Sequence, residues 1–173
     1  MPELGERWRL TEGYRIELFA DQDAVTEGDV IELWKREVSM PDDVARRRID
    51  QVLVVATHES GALAGISTGY LERNPQLGLD LWYCRALVAE AHRLNHITPH
   101  LVVAVSDHLE QRYLAGEGSG AGVAYVLENK GLMRDFRDAI LDPIDAVYIG
   151  DNRRGAPIRV HYFPGVLAPD PPR

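Results

Sequence analysis

Residues Leu87 to Leu101 read LVAEAHRLNHITPHL, and the fold depends on how this stretch is parsed. Upstream, Leu79 to Val88 alternates in strand period, with Leu81, Tyr83 and Leu87 set against Asp80, Trp82 and Cys84. Downstream, Thr98-Pro99 is a helix start, threonine as N-cap and proline in the first turn. Leu101, Val102, Val105 and Leu109 then supply an apolar stripe, so a helix is expected from Pro99 to Leu114. The stretch is thus a strand-to-helix turn that carries Arg93 and three histidines.

His92, His96 and His100 recur every fourth residue. On one continuous helix three imidazoles at that spacing would align and could hold zinc or another transition metal. Pro99 disfavours helical geometry at Thr98, so the three are expected to straddle the helix start and diverge. His58 and His108 add no ligand pattern.

The 173-residue chain is long enough for a sizeable core, and 45% hydrophobic with 27% charged residues marks a globular domain rather than a disordered chain. A formal net charge of -8 argues against general nucleic-acid or membrane-surface binding. Cys84, the single cysteine, has no partner for an internal disulfide. The N-terminal MPELGERWRL lacks the apolar core of a signal peptide, and no apolar run approaches membrane-spanning length. The expectation is a cytoplasmic protein.

Outward from the turn, residues 1–12 read as a lead-in segment holding Leu4, Trp8 and Leu10. Tyr14, Ile16 and Leu18 alternate as a strand. Thr26 with Asp29 is a helix cap, Ile31, Trp34 and Val38 share one face, and Met40-Pro41 ends that helix. Asp42 starts a second helix through Arg46, Arg47 and Arg48, read as a solvated face. Val52 to Thr57 and Ala62 to Leu71 form a hairpin about Glu59-Ser60-Gly61, and Asn74-Pro75 breaks the chain. After the central helix, Gly116 to Gly122 reads as a linker, because no Lys-Ser/Thr pair follows to make a phosphate loop. Val123 to Leu127 reads as a strand, Leu132 to Leu141 as a short helix stopped by Asp142-Pro143, and Ala146 to Ile149 with Ile158 to Phe163 as a final hairpin. The tail, 164–173, is proline-rich. The order predicts a mixed α/β domain over residues 13–163, with a largely antiparallel sheet, flanking helices and one central helical crossover.

Two motifs give this order a family resemblance. Val88 is followed, five residues on, by Arg93-Leu94-Asn95-His96-Ile97-Thr98, which is similar to the Arg/Gln-x-x-Gly-x-Gly/Ala turn of the GNAT superfamily of acyl-CoA-dependent N-acetyltransferases. Arg93 and Ile97 match; His96 and Thr98 stand where that family has small residues. Asn129, Phe136, Ile140 and Leu141 occupy the positions of a second family pattern, Asn, Tyr and Gly-Phe; Asn129 matches and Phe136 keeps the ring without the hydroxyl.

The resemblance implies a GNAT-like sheet with a splayed strand pair, opening between the strand ending at Val88 and that at Val123 to Leu127. It implies acetyl-CoA or another acyl-CoA as cosubstrate, held by Val88, Arg93, Leu94, Asn95, His96, Ile97, Thr98 and Asn129, since helix N-terminal N–H groups bind phosphate. His96 adds bulk to that cradle and Pro99 lacks an N–H, although a protonated His96 would itself contact a phosphate. Asp80 is the candidate base, with a solvated surface role as the alternative; Glu72 and Glu128 are weaker choices. Tyr125 or Cys84 would replace the acid that Phe136 cannot be. The acceptor is a small-molecule or peptide amine near Trp34, Arg46 to Arg48 and Tyr148 to Tyr162, and a homodimer is a common assembly of such folds. Two other readings stand beside the transferase: a catalytically inactive binding or assembly module of the same fold, and a metal protein built on the histidines.

Overall fold

The computed structural model describes residues 9–142 and 144–169. Residues 1–8 of the expected lead-in, with Leu4 and Trp8, and Pro143 and residues 170–173 of the tail lie outside the described residues. Eight strands and four α-helices are found among the described residues. They are β1 (Tyr14–Leu18), α1 (Glu27–Val38), α2 (Asp42–Arg48), β2 (Val52–His58), β3 (Leu63–Asn74) and β4 (Leu79–Val88), then α3 (Ile97–Leu114), β5 (Gly122–Val126), α4 (Lys130–Asp135), β6 (Ile140–Leu141), β7 (Ala146–Asp151) and β8 (Pro157–Tyr162). Hydrogen-bonded neighbours run β1-β2-β3-β4-β5-β8-β7-β6 in a mixed α/β, mostly antiparallel sheet. Its parallel pair is β4–β5. The chain divides into two compact units, one of Met1–Gly69 with Ala86–Val105 and the other of Tyr70–Arg85 with Ser106–Arg173.

In the first unit, Thr26 and Asp29 form a reciprocal capping box at the start of α1. Its buried face, Val30, Leu33 and Trp34, packs with Ala45 of α2 and with Val52, Val55, Ile66 and Ala89. β1 pairs antiparallel to β2 from Tyr14↔His58 to Leu18↔Val54. Gly65 on β3 lies so close to the end of β4 that a Cβ there would sit 2.9 Å from the Leu87 carbonyl. The Ala89 N–H donates to the Ala64 carbonyl at 2.8 Å, which fixes where β4 stops and the turn begins.

In the second unit, the core is Leu81, Ala121, Ala124 and Val160, with Leu77, Leu79, Ile158 and Val166 packed against it. The glycine segment before β5 is anchored: the Trp82 indole N–H donates to the Ser119 carbonyl at 2.7 Å, and the Ala121 N–H to the Asp80 carbonyl at 2.7 Å.

Two expected boundaries are corrected. The central helix begins at Ile97 rather than Pro99. Ile97 and Leu101, one turn apart, are both buried, and that burial overrides the reluctance of a pre-proline residue to be helical. Pro99 is tolerated as the third helical residue because the N–H groups of the first turn have no intrahelical partner. Val103 is buried where Val102 was expected. The helix expected over Leu132 to Leu141 is α4, Lys130–Asp135, and Ile140–Leu141 is strand β6 instead. The Arg159 guanidinium donates to the carbonyls of Phe136 (2.7 Å) and Asp138, which holds that chain out of helical geometry. Ile140 and Leu141 then pair with Val147 and Ala146.

Candidate functional site

The turn after β4 is a tightly bonded segment of the first unit. Val88 is buried, Glu90–His92 forms a 3₁₀ turn, and α3 follows at Ile97. His96 has φ of 56°, the left-handed region that glycine enters without penalty. Asn95 donates through its side chain to the His92 carbonyl at 3.2 Å. The Arg93 Nε donates to the Val88 carbonyl at 3.4 Å, and its Nη2 lies 3.4 Å from Oε2 of Glu37 in the last turn of α1. Leu94 is 93% exposed, an apolar side chain held out over the turn.

The parallel register of β4 and β5 runs from Trp82↔Val123 to Cys84↔Tyr125, and β4 then continues through Arg85 to Val88. A parallel pair whose rungs stop while one strand runs on, followed by a turn into a long helix, is a specific topological arrangement.

The chain superposes on a GNAT-family acetyltransferase from Streptococcus pneumoniae with a TM-score of 0.56 at 10% identity, covering 87% of this chain and 99% of that one. It has the GNAT fold. A mutant AtaT toxin bound to the C-terminus of its antitoxin AtaR and to acetyl-CoA gives a TM-score of 0.54 at 12% identity, over 87% of this chain and 94% of that one. A ribosomal-protein-S5-alanine acetyltransferase from Vibrio fischeri gives 0.53 at 11% identity, over 90% and 96%. No family model matches the sequence, and no curated protein matches it.

Within the GNAT fold, Val88 ends β4, Arg93, Leu94, Asn95 and His96 lie in the turn that follows, and Ile97 and Thr98 open α3. Asn129 lies in the second unit and caps α4, accepting the Gly131 N–H at 2.8 Å through Oδ1. Phe136 follows α4, with its carbonyl held by Arg159.

Tyr125 is buried on β5, and its hydroxyl lies 2.7 Å from the Ser106 hydroxyl of α3. Burial pushes the Tyr125 hydroxyl well above its ordinary pKa, and the Cys84 thiol beside it pushes the same way. Burial likewise raises the Cys84 thiol, so it stays protonated. Asp80, at the start of β4, has a side chain 52% exposed and pairs with Arg73 at 3.4 Å. It stands eight positions before Val88 along β4. Glu72 and Glu128 are exposed, Trp34 is buried in the first core, and Arg47 pairs with Asp43 at 2.8 Å.

Of the histidines, His92 and His58 come together around Tyr14, their ring centroids 5.9 Å apart. His92 Nδ1 lies 2.7 Å from the Tyr14 hydroxyl of β1, His96 forms the left-handed corner, and His100 is in α3. Among the described residues no group of three or more His, Cys, Asp or Glu side chains converges as a metal site. Glu37, Ser106, Tyr14 and Arg159 were not singled out from sequence. Of these, Glu37 alone left a local signal, a carboxylate at the helix end where the macrodipole disfavours it.

Proposed function

We propose that this protein transfers an acyl group from acetyl-CoA or another acyl-CoA to an amine. The observation that carries the reading is the parallel β4–β5 ladder ending at Cys84↔Tyr125 while β4 runs on to Val88 and into the turn at α3. In this reading the backbone of the last β4 residues pairs with the amides of an extended pantetheine arm. Arg93, Asn95, Thr98 and the N–H groups that open α3 take the pyrophosphate, with Leu94 as an apolar contact beside it. His96 already adopts the corner that a phosphate-binding turn requires, and Pro99 withdraws one donor from it. Asn129 shapes the start of α4. The AtaT neighbour, described with acetyl-CoA, supports the choice of cosubstrate.

The amine nitrogen attacks the thioester carbonyl, a C–N bond replaces the C–S bond, the amine proton leaves to solvent, and the sulfur departs as a thiolate. Tyr125, neutral at physiological pH and oriented by Ser106, is assigned as hydrogen-bond donor to the developing sulfur charge. Water takes the amine proton in this reading, and Asp80 is the alternative base. The acceptor is a small-molecule or peptide amine, and assembly as a homodimer belongs to the same reading. So does a cytoplasmic location; among the described residues no helix is long and apolar enough to cross a membrane.

Calorimetric titration with CoA and acetyl-CoA tests the proposal. Saturable binding and a raised thermal midpoint are expected, since a ligand that binds only the folded state stabilises it. Absence of binding at millimolar CoA overturns it. The second reading, an inactive binding module, is favoured by Phe136, which lacks the phenolic proton at that position; CoA binding with no thioester cleavage across an amine panel would select it.

A further inference from the structure

We infer that Glu37 is a positioning residue that holds the phosphate turn and its arginine in register with the end of β4; the inference rests on the transferase reading. Glu37 lies in the last turn of α1, ahead of a left-handed Ser39 cap. A carboxylate there opposes the helix macrodipole, so the helix itself gives no reason for it. Its side chain is nevertheless only 7% exposed. Burial by itself would raise the Glu37 pKa, but the Arg36 hydrogen bond, the Glu90 N–H and the Arg36 and Arg93 charges outweigh it and hold the carboxyl below its ordinary value.

The two oxygens divide the work. Oε1 takes the Arg36 Nε at 3.0 Å, and Oε2 takes both the Glu90 N–H at 2.9 Å and the Arg93 Nη2 at 3.4 Å. The Arg93 Nε reaches the Val88 carbonyl at 3.4 Å, so one oxygen closes a loop from α1 through the 3₁₀ turn back to the strand end. Glu90 lies 53 residues from Glu37, and Ala89 before it is tied to Ala64. The turn therefore enters its cradle already fixed on two sides, and Arg93 is presented from a defined place. A site so pre-organised loses less ordering entropy when an anion arrives.

Three substitutions in the full chain separate reach from charge. Glu37→Ala removes the acceptor, Glu37→Asp keeps the charge but withdraws it by a methylene, and Glu37→Gln keeps an acceptor oxygen for Glu90 and Arg93 without the charge. Hydrogen exchange in the ligand-free protein is read at the amides of Glu90 to Asn95, with the α1 amides as an internal control. Glu37→Ala and Glu37→Asp should exchange roughly tenfold faster at Glu90 with α1 unchanged, and Glu37→Gln within about twofold of wild type. CoA affinity should follow the same order, weakened roughly tenfold in the first two and restored in the third. Exchange at Glu90 that is the same in Glu37→Ala as in wild type overturns the inference. So does a CoA affinity unchanged by Glu37→Ala in a protein that binds CoA. A wild-type chain that binds no CoA sinks the transferase reading instead, and the exchange result still decides the role of Glu37.

Discussion

The hydroxyls of Tyr125 on β5 and Ser106 on α3 share a hydrogen bond of 2.7 Å inside the second unit, both side chains buried. Losing that bond should cost about 1 kcal/mol and lower the thermal midpoint by about 2–4 °C. Tyr125→Phe and Ser106→Ala should therefore be destabilised alike in a melting experiment. They should differ in turnover: Tyr125→Phe falls at least tenfold in kcat, while Ser106→Ala stays within about threefold. Equal kcat values in wild type and Tyr125→Phe would hand the leaving thiolate to solvent.

His96 occupies a left-handed corner at φ 56° just before α3. Glycine avoids the steric cost of that region, about 1–2 kcal/mol, and gives back about half of it through the entropy of the unfolded chain. His96→Gly should raise the midpoint by a few degrees in calorimetry. It should also tighten CoA binding by opening the cradle. A weaker CoA complex would mean that the imidazole itself holds the phosphate.

Asp80 forms an exposed pair with Arg73 at 3.4 Å. Such pairs contribute little, so Asp80→Asn should shift stability by less than about 0.5 kcal/mol. Its kcat should remain within about twofold of wild type. A loss of tenfold or more with a flattened pH profile would make Asp80 the base after all.

Arg159 is buried on β8, spans the carbonyls of Phe136 and Asp138, and leaves its Nε without a hydrogen-bond partner among the described residues. Burial pushes its guanidinium pKa down, yet it stays charged at neutral pH. Lysine reaches one carbonyl at a time, so Arg159→Lys should cost about 1.5–3 kcal/mol and speed amide exchange after α4. Denaturant unfolding measures the first and mass spectrometry the second.

Acid should weaken the first unit through two carboxylates. The Thr26 side chain and N–H hold Asp29 below its ordinary pKa, and Glu37 lies below its own for the reasons given above. A folded pKa lower than the unfolded one means stability present above the unfolded value, about 4, and lost as pH falls through the folded value. Unfolding midpoints should thus decline between about pH 5 and pH 3, and the combination of Asp29→Asn with Glu37→Gln should flatten that decline. An unchanged slope would place the acid sensitivity in other groups.

The order of elements apart from β6, the capping box at Thr26, the span of β4 and the strand-to-helix turn with Arg93 were legible in the amino-acid sequence alone. Each rests on neighbours within a few residues: a two-residue period, a side chain reaching its own helix start, a proline at a first turn. Only the tertiary structure decided that α3 begins at Ile97, that α4 stops at Asp135, that the Tyr125 hydroxyl meets Ser106, and that Glu37 grips a turn 53 residues away. Those outcomes come from burial and from hydrogen bonds between segments distant in the chain, and the energy of such contacts has no local period or spacing from which it can be read.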